Sequence, residues 1–355
     1  KLVGMLATAT LLTMALAGNV QAAEIRSVGP DGEAAVDAST IELTDDQIAQ
    51  IKEGGYTAAI CLHYGGNDWS TSQQKGLEDT FGELGIEIVA VTDANFSAET
   101  QVSNIETVMA KKPDILVSIP TDATATADAY KQAAAAGIKI VFMDQRANGL
   151  EAGKDYVSVV SADNYGNGYA SGTVLGDALG GKGKVAMVYY DANFAPTNQR
   201  DEGFRDAMKN YPDIEIVTEQ GFTDESGCAE QGDAILTQFP NIDGIYASWD
   251  VPMEGVLSAV RAAGMEGKVT LACNDLGNNV AREIASGNIA GGGAQMPYDQ
   301  GVAEAKLAAL ALLGEETPSY VAVPAETVTH ENVLEAYTDV YHVETPDWLK
   351  EAYVE

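Results

Sequence analysis

The chain is poor in cysteine and histidine, which limits the chemistry it can carry. Its 355 residues include three of each. The cysteines are too few for a disulfide framework, and Cys228 and Cys273 either form one bridge or remain as buried thiols. The histidines are scattered without the spacing of metal ligands, at His63, His330 and His342. We therefore expect no metal site.

Basic residues are also scarce, and their shortage excludes several classes of partner. The chain has 20 Lys and Arg against 53 Asp and Glu, which gives a formal net charge of −33. Such a chain would be repelled by nucleic-acid phosphates and by anionic lipid headgroups. We expect neither nucleic acid nor a membrane surface as its partner.

Signatures of nucleotide and nucleophile chemistry are missing as well. No Gly-x-Gly-x-x-Gly opens a helix after a strand, so no dinucleotide site is expected. Residues 176–182 fit Gly-x-x-x-x-Gly-Lys, but Gly183 takes the Ser/Thr position and the motif follows a helical pattern, the reverse of a phosphate loop. A nucleophile would lack a base, because the second half has no histidine before His330. We expect no catalytic residue and no cofactor.

The N-terminal stretch has the pattern of a secretory signal. Lys1 precedes an apolar run over residues 2–17, and a small-x-small site ends at Ala22 or Ala23. The alternative is a transmembrane anchor, for which the run is short. We predict a signal peptide over residues 1–23. Residues 24–55 then form a polar leader in which Thr44 caps a short helix.

From Tyr56 onward, short apolar strands alternate with helical patterns. The first set of predicted strands covers residues 57–62, 86–91, 115–119, 138–143 and 156–161. After a restart the second set covers residues 184–190, 214–219, 244–248 and 269–273. This order predicts an α/β fold of two doubly wound parallel sheets that face each other across a cleft. The later segments 288–295, 299–313 and 320–323 are too few for a third domain, so we expect them to complete the first sheet.

Polar side chains follow the predicted strands, where α/β folds bind their ligands. Asp144, Gln145 and Arg146 come directly after the fourth strand. Trp69 and Trp249 follow one strand in each half of the chain. An indole packs against the C–H face of a sugar while carboxylates and amides bind its hydroxyls, so the pattern favours a neutral, hydroxyl-rich ligand. His63 is also near a strand end, where we expect a packing or surface role.

Several motifs in this order resemble one family. They are Asn67-Asp68-Trp69, Ile119-Pro120-Thr121-Asp122, Val141-Phe142-Met143-Asp144-Gln145, Ser161-Ala162-Asp163-Asn164, Asn198-Gln199-Arg200-Asp201-Glu202-Gly203-Phe204, Ala247-Ser248-Trp249-Asp250 and Ala294-Gln295-Met296-Pro297. Together, over residues 56–323, they resemble the periplasmic sugar-binding proteins of ABC transporters of the ribose/galactose type (type I periplasmic binding proteins).

The resemblance implies a set of ligand contacts. By position these are Asn67, Trp69, Asp144, Gln145, Arg200, Trp249, Asp275 and Gln295. Less direct candidates are Tyr64, Asp68, Asn198, Phe222, Asp250 and Asn274. The chain departs from the family where Trp249 replaces a frequent Asn, Gln145 a frequent Arg and Ser70 a frequent aromatic residue. A pentose, a hexose and a sugar alcohol all stay open as the ligand.

The resemblance also implies how the chain is divided. We expect an N-terminal lobe of residues 56–161 plus 296–323 and a C-terminal lobe of residues 162–295 plus 324–355. A three-strand hinge would cross near residues 161–163, 293–295 and 321–324. The last segment, residues 331–355, is expected to be helical around residues 333–337 and 348–353.

These features predict a non-enzymatic, monomeric periplasmic receptor that captures a sugar or polyol and delivers it to the permease of an ABC transporter. Three alternatives stay open. A regulator of the lactose-repressor type shares the core but needs a DNA-binding segment where the signal peptide lies. A sugar-modifying enzyme would use Asp144 and Asp275 as its carboxylates. A receptor of the same fold could bind a signalling molecule such as an autoinducer.

Overall fold

The computed structural model describes residues 24–354, in which strands and helices alternate along the chain. The predicted signal peptide, residues 1–23, lies outside the described residues. No helix among residues 24–354 combines the length and the apolar character that a bilayer crossing requires.

The first part of the chain forms most of one lobe. Its elements are β1 (Val36–Asp37), α1 (Asp45–Gly54), β2 (Thr57–Leu62), α2 (Asp68–Glu83), β3 (Glu87–Asp93), α3 (Ala98–Lys111), β4 (Ile115–Ser118), α4 (Ala127–Ala135), β5 (Lys139–Met143) and β6 (Ser158–Ala162).

The middle part forms most of the second lobe. Its elements are α5 (Asn164–Ala178), β7 (Lys182–Tyr190), α6 (Ala195–Met208), β8 (Asp213–Phe222), α7 (Cys228–Gln238), β9 (Gly244–Ala247), α8 (Asp250–Ala262), β10 (Thr270–Cys273), α9 (Asn278–Ala285) and β11 (Gly291–Ala294). The last part adds α10 (Pro297–Leu312), β12 (Tyr320–Val323), β13 (Glu326–Thr329), α11 (Val333–Tyr341) and α12 (Asp347–Ala352).

Two sheets organise these elements. The seven-stranded sheet has the order β1-β12-β6-β5-β4-β2-β3, with every pair parallel. The six-stranded sheet has the order β13-β11-β10-β9-β7-β8, and only β13 within it runs antiparallel. The predicted fold class, two doubly wound parallel-sheet lobes, is confirmed. The late strand β12 pairs with β6 and so completes the first sheet as expected. The expectation was wrong for residues 288–295, because their strand β11 pairs with β10 in the second sheet.

The chain passes between the two sheets three times within the described residues. It leaves the first sheet after β6, returns to it between β11 and β12, and leaves again between β12 and β13. These passages fall at the positions where the family resemblance put the hinge, and they bring both sheets to a common cleft.

The β5 strand shows why its sequence is almost continuously apolar. Val141 and Met143 pack in a core with Phe81 on one face of the first sheet. Phe142 packs in another core with Tyr130 on the opposite face. A parallel strand with helices on both sides needs apolar residues at successive positions. The second lobe has its own cores, and Cys61, Cys228 and Cys273 are all buried free thiols, so no bridge joins Cys228 to Cys273.

The segment predicted as a leader, residues 24–55, is folded into the molecule. Thr44 caps α1 as predicted, through a capping box with Gln47. β1 pairs with β12 at the edge of the first sheet, an element that the polar sequence did not reveal. The backbone N–H groups of Arg26 and Ser27 donate to the carboxylate of Asp163 at 3.0 and 2.8 Å. This segment is thus part of the body of the protein and no free leader.

Helices α5 and α6 pack closely because glycines face each other between them. A Cβ on Gly168 would lie 1.8 Å from the carbonyl oxygen of Arg200, and one on Gly203 would lie 2.1 Å from that of Tyr165. Only residues without a side chain permit this approach. The contact fixes the position of α6, which carries Arg200 into the cleft.

Candidate functional site

A cavity with about 540 Å³ of empty space, part of it open to solvent, lies between the lobes at the carboxyl ends of their strands. Both lobes supply its walls, with β2 and β5 loops on one side and the loops after β7, β9 and β10 on the other. Its lining residues are His63, Tyr64, Asn67, Trp69, Phe96, Ile119, Asp144, Tyr190, Phe194, Pro196, Thr197, Arg200, Trp249, Asp250, Asp275 and Gln295.

Most side chains predicted as ligand contacts meet at this cavity. Seven of the eight line it: Asn67, Trp69, Asp144, Arg200, Trp249, Asp275 and Gln295. Tyr64 and Asp250 from the less direct candidates line it too. Residues as far apart in the sequence as Asn67 and Gln295 therefore surround one space, as parallel strands that end at the same edge would place them.

Gln145 is the exception among the eight. Its amide donates to the carbonyl of Pro120 at 2.9 Å and accepts from the N–H of Ala195, on the other lobe, at 3.3 Å. It lines a neighbouring cavity together with Arg146. Asp144 has a left-handed backbone with φ of 54°, so the chain turns there and Gln145 points away from the main cavity.

The other less direct candidates lie around the cavity without lining it. Asp68 accepts from the backbone and side-chain N–H groups of Asn278 at 2.8 Å each, which links the two lobes. Asn274 is buried and binds Tyr246 and the carbonyl of Ser248. Phe222 packs beneath Trp249, with ring centroids 5.1 Å apart. Asn198 is exposed on α6.

The structure adds an aromatic wall that sequence reasoning largely missed. Phe96 stacks on Tyr64 with ring centroids 4.1 Å apart, and Phe194 stacks on His63 at 5.9 Å. Tyr190 meets Trp249 edge-on. Phe96 follows β3, and no residue after that strand was predicted as a ligand contact. The loop after β7, with Phe194, was recognisable by its position alone.

His63 belongs to this wall and stays neutral. It is 4% exposed and touches four aromatic rings at its edges and face, those of Tyr64, Trp69, Phe96 and Phe194. Burial lowers the pKa of His63 to about 3. The side chain is therefore an uncharged part of the cavity wall, which agrees with a packing role.

Arg200 is the cation of the cavity and is held from several sides. Its Nε donates to Asn164 Oδ1 at 2.8 Å, and its Nη1 donates to Asp275 Oδ2 at 3.0 Å. Burial acts against its charge, but the carboxylates of Asp275 and Asp144 outweigh burial and raise the pKa of Arg200. The guanidinium is thus fixed in place and charged.

Two aspartates at equivalent strand ends complete the polar side. Asp144 Oδ1 accepts from Ser161 Oγ at 2.9 Å and from Gln300 Nε2 at 3.3 Å. Asp275 Oδ1 accepts from Gln295 Nε2 at 2.8 Å. Burial raises the pKa of Asp144, while nearby Arg200 partly offsets that rise. Each carboxylate is oriented by protein donors before any ligand arrives.

Asp250 has a different environment at the start of α8. Its carboxylate accepts from the backbone N–H of Val251 at 2.8 Å and from that of Gly277 at 3.0 Å. Burial, and then the charge of Asp275, raise the pKa of Asp250. Its hydrogen bonds connect the β9 and β10 loops, so it supports the shape of the site.

The polar groups suit hydroxyl recognition better than metal binding. Residues 24–354 contain no cluster of three His, Cys, Asp or Glu side chains placed to hold a metal ion. Carboxylates, amides and a guanidinium that share one cavity with aromatic rings can bind a ring that has polar edges and an apolar face.

Comparisons with known proteins agree with this geometry. A family model described as a periplasmic binding protein domain matches residues 58–316. The D-ribose/D-allose-binding protein of Pseudomonas aeruginosa is 29% identical over 273 residues, which cover 74% of this chain and 83% of that protein. The ribose import binding protein of Salmonella typhimurium is 24% identical over 272 residues, 77% of this chain and 90% of that protein.

Solved structures give the same picture. An ABC transporter periplasmic solute binding protein from Actinobacillus succinogenes with bound D-allose is similar at a TM-score of 0.72 and 29% identity, over 78% of this chain and 99% of that protein. A solute binding protein from Agrobacterium vitis with bound α-D-tagatopyranose is similar at a TM-score of 0.75 and 26% identity, over 81% of this chain and 98% of that protein.

Proposed function

The chain belongs to the periplasmic binding protein domain family, and from that premise we propose that it captures a monosaccharide or sugar alcohol and delivers it to the permease of an ABC transporter. The observation that carries the proposal is the interlobe cavity, which Asp144, Arg200 and Asp275 line together with aromatic rings. The relatives are named for ribose and allose, and the similar structures hold D-allose and α-D-tagatopyranose.

The proposed contacts follow from the donors already in place. Both side-chain donors to Asp144 take Oδ1, so we assign Oδ2 to a ligand hydroxyl. Arg200 keeps guanidinium N–H groups for a second hydroxyl or the ring oxygen, because a guanidinium has five. Trp69 and Trp249 would pack against the C–H faces of the sugar. Asn67 and Gln295 would bind the remaining hydroxyls.

The charges in the cavity favour a neutral ligand. The positive charge of Arg200 is matched by Asp275 at 3.0 Å and lies close to Asp144. An anionic ligand would meet both carboxylates, and a cationic one would meet the buried guanidinium. Sugars and polyols avoid both repulsions and satisfy the polar groups with hydroxyls.

Capture would involve closure of the lobes. Residues 56–161 plus 296–323 would move as one lobe and residues 162–295 plus 324–355 as the other. The bonds from Asn278 to Asp68 and from Ala195 to Gln145 join the lobes and would form on closing. A ligand that contacts both lobes favours the closed form. The permease would then bind the surface that the two lobes form together in that closed state.

The setting of this function is proposed as the periplasm, with the protein secreted by the signal peptide predicted over residues 1–23. We propose that it acts as a monomer, without cofactor and without catalysis. An enzyme would return a changed sugar, whereas a receptor would release the sugar that it bound. Chromatography of D-allose recovered after incubation with the protein distinguishes the two.

A thermal-shift screen tests the proposal. D-ribose, D-allose, D-tagatose and allitol are added to the wild-type protein and to the variants Asp144→Ala and Asp128→Ala. We expect at least one sugar to raise the melting temperature of the wild type and of Asp128→Ala, whose carboxylate is 91% exposed on α4. Asp144→Ala should fold but show no shift, because it lacks the acceptor for a sugar hydroxyl. Normal binding by Asp144→Ala would remove Asp144 from the site.

A further inference from the structure

Behind the cavity, helix α10 carries a chain of buried polar side chains that ends at Asp144. Gln300 Nε2 donates to Asp144 Oδ1 at 3.3 Å. One turn further along α10, Glu304 Oε1 accepts from Nε2 of Gln73, on α2, at 2.6 Å. Gln73, Gln300 and Glu304 are all 0% exposed. The chain thus runs from the interior of the first lobe to a proposed ligand contact.

Three oxygens in this chain lack a partner among the described residues: Oε1 of Gln73, Oε1 of Gln300 and Oε2 of Glu304. The last two belong to residues four positions apart on α10. With Glu304 ionised, both atoms would be acceptors and neither could satisfy the other. Residues four positions apart on a helix are neighbours, so a proton on Glu304 would turn this pair into a donor and an acceptor.

The surroundings of Glu304 favour the protonated form. The charged group that acts on it is Asp144, which is itself negative. The other charged side chains of the helices packed around it, α1, α2, α10 and α11, are exposed or half-buried, and Lys139 of β5 is exposed. Burial, and then the charge of Asp144, hold the pKa of Glu304 well above its ordinary range.

We propose that Glu304 is a positioning residue for ligand binding: as a neutral acid it donates its proton to Gln300 Oε1 and so orients the Gln300 amide toward Asp144. An amide with a free Oε1 can rotate and present oxygen where it now presents N–H. Two acceptors would then face each other at Asp144. The bond from Glu304 prevents this rotation, and it does so without adding a charge to the interior. The proposal rests on the proposed function, since it assigns a role to a group behind its ligand contact.

Two substitutions of similar size distinguish this role from simple packing. In Glu304→Gln the new amide can donate to Gln300 Oε1 and accept from Gln73, so sugar affinity should stay within about threefold of wild type. Glu304→Met fills the same space but offers no donor, and affinity should fall about tenfold or more, the range for one lost buried hydrogen bond to a charged network. The probe is whichever of D-ribose, D-allose and D-tagatose binds the wild type, measured by calorimetry.

Tyr130→Phe is the matched control. Tyr130 is fully buried in the same lobe and shares a hydrogen bond of 2.7 Å with Ser118, away from Asp144. It should lose stability and keep its affinity. Equal affinity of Glu304→Met and wild type would overturn the proposal. So would an equal loss in Glu304→Gln and Glu304→Met, because that result would mean that the charge of Glu304 is required.

A pH series tests the protonation even if Glu304→Met does not fold or no sugar binds. The folded wild type keeps a proton on Glu304 that the unfolded chain releases above its ordinary pKa, so stability falls as pH rises. Above pH 4.5, the ordinary pKa of a glutamate, the unfolding equilibrium constant of the wild type should therefore rise more steeply with pH than that of Glu304→Gln. If the stabilities of the wild type and Glu304→Gln change with pH in parallel, Glu304 is not protonated in the folded protein and the proposal fails. Absence of sugar binding would overturn the proposed function alone.

Discussion

A second buried acid, Asp201, gives a prediction whose size can be worked out. Asp201 is 2% exposed on α6, next to Arg200, and accepts from Ser248 Oγ at 2.6 Å. Burial is the main cause that raises its pKa from 3.8 to about 7, against the opposing effect of the Ser248 hydroxyl and two arginines. Between pH 3.8 and about 7, the folded protein therefore holds a proton on Asp201 that the unfolded chain has released.

The sign of the effect follows from proton linkage. Below pH 3.8 both states carry the proton, and the stability that Asp201 contributes is fully present. As pH rises, only the folded state is protonated, so unfolding becomes easier by about 1.4 kcal/mol per pH unit until pH reaches about 7. Between pH 5 and 7 the loss amounts to about 3 kcal/mol. Asp201→Asn cannot titrate and should escape it.

Urea unfolding from pH 5 to pH 8 measures this difference. The free energy of unfolding of the wild type should fall by about 3 kcal/mol more than that of Asp201→Asn, with the two profiles parallel above pH 7. Asp128→Asn, an exposed control on α4, should follow the wild type. If Asp201→Asn loses stability with pH as steeply as the wild type, Asp201 is ionised in the folded protein and the reasoning fails.

Two further substitutions test packing near the site. Gly168→Ala should lower the free energy of unfolding by about 1–3 kcal/mol and weaken sugar binding, because its Cβ would lie 1.8 Å from the carbonyl oxygen of Arg200. The control in urea unfolding is Gly82→Ala, because no atom lies within 4 Å of a Cβ at that position. Asp163→Ala should cost about 2–4 kcal/mol, because three backbone N–H groups lose their acceptor, and should speed tryptic cleavage after Arg26. Ser97→Ala, which removes the single side-chain cap bond of α3, should cost about 1 kcal/mol and leave that cleavage unchanged.

The sequence predicted the architecture because its signals are local and periodic. The buried strand β5 follows a glycine-ended helix, and its apolar residues fill two cores on opposite faces of the sheet. Each βα unit repeats this signal. The edge strand β1 escaped prediction because it is two residues long, and its partner β12 lies almost 300 positions away. A two-residue strand in a polar segment has no alternating pattern of apolar residues, and its pairing with a distant strand cannot be inferred from neighbouring residues.

The site was predictable to the extent that side chains follow strand ends. Asp144 stood out because it is a polar residue directly after an apolar strand, whereas Arg200 and Asp275 were predicted from the family resemblance. The aromatic residues of the wall did not stand out, because a phenylalanine near a strand is ordinary core material. Phe96 reaches the cavity only because its own backbone and that of Asn95 are left-handed, with φ of 58° and 46°. The residue types at positions 95 and 96 do not by themselves predict two successive left-handed conformations.

The contrast between Gln145 and Gln295 has the same origin. Both amides follow short strands, yet Gln295 binds Asp275 in the cavity and Gln145 faces the opposite side. Asp144 and Asp275 each adopt a left-handed conformation, with φ of 54° and 69°, which turns the carboxylate into the cleft and sends the next residue elsewhere. Such conformations cost about 1–3 kcal/mol and persist where surrounding contacts over-determine them. The donors from Ser161, Gln300 and Arg200 supply those contacts, so the backbone strain and the hydrogen-bond network behind the carboxylates are two parts of one arrangement.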